Sequence, residues 1–217
     1  MIKAILFDLD GTLVNSLEDL GQATNFSLKK YGYSERSIDE FKMFVGDGIV
    51  KMIERALGKS KVSAEKFKLI KESFLEYYNT HYCDKTCFYE GMPELIDSLN
   101  KAGMKLAVVT NKVEFMAEII VNKLFGNSFD VVYGQRDDVP TKPDPTLTLM
   151  AMKDLDVVPE ECVFLGDSGV DIKTAVNSGA LPVGALWGFR GKDELAANGA
   201  KFFINKPHEL LKIINND

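Results

Sequence analysis

The feature that most constrains this chain is a series of short apolar runs, each tied to a cluster of polar residues. Residues 3–7 lead into Asp8-Leu9-Asp10-Gly11-Thr12, and Leu106-Ala107-Val108-Val109 leads into Thr110-Asn111-Lys112. Cys162-Val163-Phe164-Leu165 leads into Gly166-Asp167-Ser168-Gly169-Val170-Asp171, and Lys142-Pro143-Asp144-Pro145 lies in the loop beyond Asp130-Val131-Val132-Tyr133. Such runs read as strands covered on both faces. Helical patterns separate them: Val113, Met116, Ile120 and Leu124, then a helix around Leu147, Met150 and Ala151, then Ile172, Ala175 and Val176 ending at Gly179. Residues 181–186 and 201–204 read as further strands, with a last helix from about Pro207. This alternation predicts an α/β fold with a doubly wound, Rossmann-like parallel sheet. The carboxyl ends of its strands share one edge, so the polar clusters are expected to converge on one pocket.

One block breaks the alternation. From residue 15 to about residue 88 only helical patterns occur. Ser16-x-x-Asp19 reads as a helix start, with Leu17, Leu20, Thr24, Leu28 and Tyr31 on one face. The loop Val45-Gly46-Asp47-Gly48 precedes Ile49, Met52, Ile53, Ala56 and Leu57, closed by Gly58, and Phe67, Ile70, Phe74 and Tyr77 mark another helix. After Gly91, Pro93 opens a helix that Gly103 ends. Residues 15–88 are therefore expected to form a helical cap domain inserted into a core made of residues 1–14 and 89–217.

Composition narrows the function classes. Of 217 residues, 26 are Lys or Arg and 32 Asp or Glu, a net charge of −6, with 46% hydrophobic residues, enough for a sizeable core. No basic block offsets that negative charge, so nucleic acid is not an expected partner. The apolar start stops at Asp8 and the stretch 181–189 contains Pro182 and glycines; neither is long enough to span a bilayer, and the expectation is a cytoplasmic protein with no membrane partner. Cys83, Cys87 and Cys162 read as reduced thiols rather than a disulfide framework or, with His81, a zinc site. His208 is the only other histidine and no Gly-x-Ser-x-Gly elbow occurs, which leaves little for Ser-His-Asp chemistry.

The expected pocket holds carboxylates (Asp8, Asp10, Asp167, Asp171), one ammonium (Lys142), a hydroxyl (Thr110) and an amide (Asn111). Hard oxygen ligands without histidine or thiolate suit Mg²⁺. Thr110 and Asn111 are read at a helix start, where free N–H groups attract an anion. Together these describe a Mg²⁺-dependent phosphate site. A metal beside Asp8 would keep it ionised and nucleophilic, while negative neighbours would raise the pKa of Asp10 and let it carry a proton. Taken alone, Asp8-x-Asp10-Gly11-Thr12 also fits a turn rich in Asx hydrogen bonds.

With all four clusters in this order, the chain resembles the haloacid dehalogenase superfamily of phosphohydrolases. Asp8-Leu9-Asp10-Gly11-Thr12-Leu13, Thr110-Asn111-Lys112, Lys142-Pro143-Asp144-Pro145 and Gly166-Asp167-Ser168-x-x-Asp171 stand for its four motifs. Phe44-Val45-Gly46-Asp47-Gly48 and Trp187-Gly188-Phe189-Arg190 are similar to phosphoglycolate phosphatase-type members. The resemblance implies that Asp8 attacks phosphorus to form an aspartyl-phosphate and that Asp10 protonates the leaving alcohol, then activates water. It implies that Thr110, the Asn111 backbone and Lys142 bind the phosphoryl group. It also implies Mg²⁺ on Asp8, the Asp10 carbonyl and Asp167, with Asp171 behind them. Asn15 departs from the aspartate many relatives carry, which bears on hinge contacts rather than chemistry. Asp10 argues against dehalogenase and phosphonate-cleaving members, which lack an acid there.

Specificity is expected from the cap. The loop around Gly46 is a candidate for closing over the substrate. Lys51 and Arg55 are candidates for a substrate carboxylate, or else solvated helix charges; Arg190 reaches the rim or serves the surface. Trp187 is read as packing, and Phe67, Phe74, Tyr77 and Tyr78 as cap core. The expected partner is a small phosphorylated metabolite, 2-phosphoglycolate first, and the protein is expected to be a monomer or homodimer. A β-phosphoglucomutase-like mutase or an inorganic pyrophosphatase is the alternative. A phosphate-accepting signalling module is more remote, because Asp10 and the insert do not suit a long-lived phosphoryl group.

Overall fold

A computed structural model describes residues 1–215. The chain opens with β1 (Ala4–Phe7) and the short β2 (Val14–Asn15), then forms α1 (Leu17–Lys30), α2 (Ile38–Phe44), α3 (Gly48–Leu57) and α4 (Ala64–His81). It returns through β3 (Cys87–Phe88) and alternates thereafter: α5 (Met92–Lys101), β4 (Lys105–Val113), α6 (Glu114–Phe125), β5 (Val131–Gln135), α7 (Thr146–Asp154) and β6 (Cys162–Gly166). The rest is α8 (Gly169–Ser178), β7 (Leu181–Ala185), α9 (Lys192–Ala197), β8 (Phe202–Ile204) and α10 (Leu210–Asn215). Among the described residues, no helix is long and apolar enough to cross a membrane.

Six strands form one parallel sheet in the order β5-β4-β1-β6-β7-β8. β1 lies at its centre, paired with β4 through Ala4↔Lys105 and with β6 through Ala4↔Cys162. That position explains its unbroken apolar run. Ile5 and Phe7 pack with Leu95, Leu99 and Ile120 on one face; Ala4 and Leu6 pack with Leu147, Ala151 and Ala175 on the other. The chain order reverses at β1, so the crevice beyond Phe7 is the sheet's switch point, where ligands bind in such folds. The fold is the expected doubly wound α/β sheet with an inserted helical cap.

The inserted helices bury a core of their own. Leu20 and Leu28 from α1, Phe41 from α2, Ile53 from α3 and Phe74 and Tyr78 from α4 meet there, with Met116 of α6 against them. β2 and β3 pair antiparallel, Val14 with Phe88 and Asn15 with Cys87, so the outgoing and returning chains run side by side. α2 was not anticipated; its signal is Ser37-x-x-Glu40, a capping box in which Ser37 Oγ accepts from Glu40 N and Glu40 accepts from Ser37 N. Ser16 precedes α1 but makes no cap bond with its side chain, which is drawn into the site instead.

One local expectation is overturned. Thr110 and Asn111 do not begin a helix: β4 continues through Val113 and α6 starts at Glu114. The extension follows from pairing, because after a register shift Val113 pairs with Gln135, and Gly134 N donates to Glu114 Oε2. Thr110 therefore presents its hydroxyl from a strand end rather than from the N-terminus of a helix.

Candidate active site

The crevice beyond β1 collects the expected residues. Lys142, buried, donates from Nζ to Asp8 Oδ1 at 2.7 Å and to Asp171 Oδ1 at 2.7 Å. Asp171 Oδ2 accepts from Ser168 N and Oγ at 3.0 and 2.6 Å in the capping box that opens α8, so helix capping and site geometry share one carboxylate. Asp167 accepts from Thr12 Oγ1 at 3.0 Å and from Phe189 N at 2.7 Å. Gly11 and Gly188 press against this carboxylate from two sides, and a Cβ at either would overlap it. Gly11 also sits at φ +98°, so its place in the motif has both a steric and a conformational reason.

Asp8, Asp167 and Asp171 each offer an oxygen within 4.8 Å of the others, all buried. Burial, then repulsion from Asp171, pushes the Asp8 carboxyl from its ordinary 3.8 up to about 7, against the pull of Lys142. Burial, then Asp171 and Asp8, pushes Asp167 well above the same value. Burial also works against the charge on Lys142, but Asp171 and Asp8 outweigh it and hold the ammonium above its usual range. Three buried carboxylates facing this one ammonium leave negative charge uncompensated, and their donor set is oxygen only. A hard divalent cation fits both facts.

The side chain of Asp10 does not join that group. Ser16 Oγ donates to its Oδ1 at 2.5 Å, and Lys112 Nζ approaches both of its oxygens at 3.1 Å. The expectation that negative charges crowd Asp10 is corrected here: its partner is an ammonium. Lys112 itself is buried and also donates to Tyr78 Oη of α4 at 2.8 Å. Burial opposes its charge, yet Asp10 and Tyr78 together hold its pKa above the ordinary lysine value. Burial pushes the Tyr78 hydroxyl up to about 12 despite the neighbouring ammonium.

Asn111 works through its side chain. Nδ2 donates to Gly46 O and to Lys142 O at 3.1 Å each, and Oδ1 accepts from Lys142 N at 2.8 Å. It thus ties the loop before α3 to the loop that carries Lys142. Thr110 Oγ1 accepts from Lys112 N at 3.2 Å, which leaves the hydroxyl proton free for another acceptor. Above Asp8, Asp10 and Thr110 lies a partly open cavity lined on the cap side by Leu20, Val45, Ile49 and Met52, with about 40 Å³ open to the centre of a water molecule.

The other candidates fall outside this cavity wall. Lys51 is exposed and pairs with Glu54, the solvated reading. Arg55 braces the loop, donating to Phe44 O at 2.9 Å and pairing with Asp47 at 2.5 Å. Arg190 donates to Val45 O at 2.9 Å from the core side. Trp187 packs against the core and donates from Nε1 to Thr12 O. Among the described residues, His81, Cys83 and Cys87 are not part of any metal-ligating group; His81 Nδ1 lies 2.9 Å from Tyr77 O. Sequence reasoning missed roles for Thr12, Ser16, Tyr78 and Lys112. The signal for Lys112 was its place two residues past Thr110 in what is a strand, not a helix.

A parallel sheet with its reversal at β1, a lysine gripping the first aspartate and inserted helices above define a capped, doubly wound α/β domain with a buried acidic site. Residues 5–185 match the family model of haloacid dehalogenase-like hydrolases. Phosphoglycolate phosphatase of Colwellia psychrerythraea is 34% identical, covering 96% of this chain and 95% of the relative. Phosphoglycolate phosphatase of Aquifex aeolicus is 31% identical, covering 99% and 98%. A crystal structure from Lactobacillus delbrueckii subsp. bulgaricus, provisionally assigned as a phosphoglycolate phosphatase, superposes with a TM-score of 0.92 at 32% identity over 98% of each chain. The chain belongs to the haloacid dehalogenase-like hydrolases, as an enzyme of the phosphatase kind.

Proposed function

We propose that this protein is a Mg²⁺-dependent phosphatase that hydrolyses a small phosphate monoester, 2-phosphoglycolate foremost, through an aspartyl-phosphate on Asp8. The observation that carries the reading is the grip of Lys142 on Asp8 at 2.7 Å, beside a cavity that Asp8, Asp10 and Thr110 line. The relatives' names support 2-phosphoglycolate as the ester to try first.

Asp8 attacks phosphorus, and the bond from phosphorus to the ester oxygen breaks. Asp10, once it parts from Lys112 and takes up a proton from solvent, gives that proton to the ester oxygen, so an alcohol leaves. Asp10 then takes a proton from water as the water oxygen attacks phosphorus; the bond to Asp8 breaks and inorganic phosphate departs. Lys142 neutralises charge on the phosphoryl oxygens without moving, since its partners already fix it. Thr110 donates its free hydroxyl proton to a phosphoryl oxygen, and the Asn111 backbone assists.

Asp8, the Asp10 carbonyl and Asp167 would hold Mg²⁺. Both oxygens of Asp171 are engaged by Lys142 and Ser168, which suits a supporting place behind them. When bound, Mg²⁺ supplies positive charge to the phosphoryl group and the attacking carboxylate. Residues 15–88 act as the cap and residues 1–14 with the remainder as the core, the Gly46 loop excluding water.

A phosphate-release screen over small phosphorylated acids, sugars, nucleotides and pyrophosphate tests this, run with and without Mg²⁺. The expected result is Mg²⁺-dependent release with 2-phosphoglycolate among the best substrates. Isomerised sugar phosphate, or pyrophosphate exceeding every ester, favours the mutase or pyrophosphatase reading instead.

A further inference from the structure

The cavity wall has a chemical asymmetry. Its roof is apolar, from Leu20, Val45, Ile49 and Met52, and its floor is the phosphoryl site. Beyond that floor, the cation lining the cavity is Lys112. The cations of the cap helix in that roof, α3, are committed elsewhere: Arg55 to Phe44 O and Asp47, Lys51 to Glu54 at the surface. Arg190 is held by Val45 O and Glu194. A leaving group held here therefore meets hydrocarbon, the Asp10 carboxylate, the Asn111 amide, the Tyr78 hydroxyl and, as its one cation, the Lys112 ammonium.

We propose that Lys112 determines specificity for esters whose leaving group bears a carboxylate, taking that carboxylate in exchange for Asp10. This deepens the phosphatase reading and rests on it. At present Lys112 is compensated by Asp10 at 3.1 Å and Tyr78 Oη at 2.8 Å. A buried ammonium requires such a partner, so it leaves Asp10 only when another anion arrives. A carboxylate on the leaving group is that anion. Its binding releases Asp10, which, freed of the ammonium, takes a proton from solvent and offers it to the ester oxygen, with Ser16 still available to position it. Tyr78 spans from α4 to Lys112, so the exchange is made under the cap rather than in open solvent. A neutral leaving group lacks the means to displace Asp10 and leaves Lys112 where it is.

The test compares kcat/KM for 2-phosphoglycolate with that for ethyl phosphate, which has a neutral leaving group of similar length, in wild type and in Lys112→Met and Lys112→Gln. Wild type is expected to prefer the acid. The preference should fall roughly 10- to 100-fold in both variants, the scale of losing a charged hydrogen bond, with a rise in KM for 2-phosphoglycolate. Lys112→Gln keeps a side-chain donor for Asp10 and Tyr78, and melting profiles show which variants fold. If neither does, wild type decides: glycolate should inhibit ethyl phosphate hydrolysis competitively and ethylene glycol should not. An unchanged ratio, with both esters slowed equally, overturns the proposal and leaves Lys112 as a brace for Asp10. Equal turnover of both esters by wild type, or equal inhibition by glycolate and ethylene glycol, overturns it too. Absence of phosphate release from every ester sinks the phosphatase reading itself, a result distinct from these.

Discussion

Asp19, in the first turn of α1, accepts hydrogen bonds from Thr86 at 2.8 Å to the backbone N–H and 2.7 Å to the hydroxyl. Lys85 N donates to the same carboxylate at 3.0 Å. The bonds join the start of the cap to the strand by which the chain leaves it, beside the β2–β3 pairing. Asp19→Ala would strand two backbone donors, Thr86 N among them in a buried setting. The expected cost is roughly 2–4 kcal/mol, about 1–3 kcal/mol for the buried Thr86 donor and about 1 kcal/mol for that of exposed Lys85. Thermal unfolding should move down by roughly 5–15 °C. Asp19→Asn keeps one oxygen acceptor and should lose about half as much. Urea denaturation of both variants checks this, and an unmoved midpoint for Asp19→Ala would refute the role.

Ser16-x-x-Asp19 shows where the sequence was legible and where it was not. The pattern marked the start of α1 correctly, but neither side chain caps the helix: Ser16 donates to Asp10 and Asp19 reaches residues 85 and 86. Local spacing carries the period of an element, whereas these partners come from the fold. The central strands and the convergence of Asp8, Thr110, Lys142 and Asp167 were readable because burial on both faces forces apolar runs and the sheet aligns their ends. The helix expected at Thr110 was not, because pairing of Val113 with Gln135 extends β4 past its apolar stretch. The partners of Lys112 and Tyr78 were illegible for the same reason as those of Asp19: an ion pair of Lys112 with Asp10 across 102 residues of chain leaves no periodic trace.

The raised carboxyls of Asp8 and Asp167 set a sign for stability against pH. Asp8 binds its proton up to about 7 in the folded protein and only to about 3.8 in the unfolded chain. Between these values the folded state holds more protons, so its stability falls as pH rises through that window. Asp167 acts in the same direction. Metal-free protein should therefore melt at a lower temperature at about pH 7.5 than at about pH 5. Added Mg²⁺, competing with those protons, should raise the melting temperature more at the higher pH. Scanning calorimetry with EDTA or Mg²⁺ at both pH values checks it; equal Mg²⁺ shifts would count against the carboxylates as ligands.

Asn111 makes one side chain answer for two loops. Asn111→Ala removes the bonds to Gly46 O, Lys142 O and Lys142 N together. Lys142 loses its backbone anchor while keeping its charge, so positioning suffers more than electrostatics. The expected result is a fall in kcat/KM of at least about 10-fold, with a stability loss of roughly 1–3 kcal/mol. Asn111→Asp retains the acceptor for Lys142 N and should recover part of the stability. A variant with unaltered kinetics would show that the Gly46 loop needs no such tie.

Replacing Asp8 by Asn separates chemistry from architecture. The amide has nearly the same shape and its oxygen still accepts from Lys142, so the sheet and the cavity should persist. It is a far weaker nucleophile than a carboxylate, and phosphate release should fall by more than about 10³-fold. The substitution also removes one of the three mutually repelling carboxylates, so the Mg²⁺-free variant should melt above wild type at neutral pH. Wild type given a rapid substrate pulse and quenched in acid should carry a phosphoryl group on a peptide containing Asp8, and the variant should not. Turnover surviving in Asp8→Asn would rule out the covalent route and turn attention to direct attack by water.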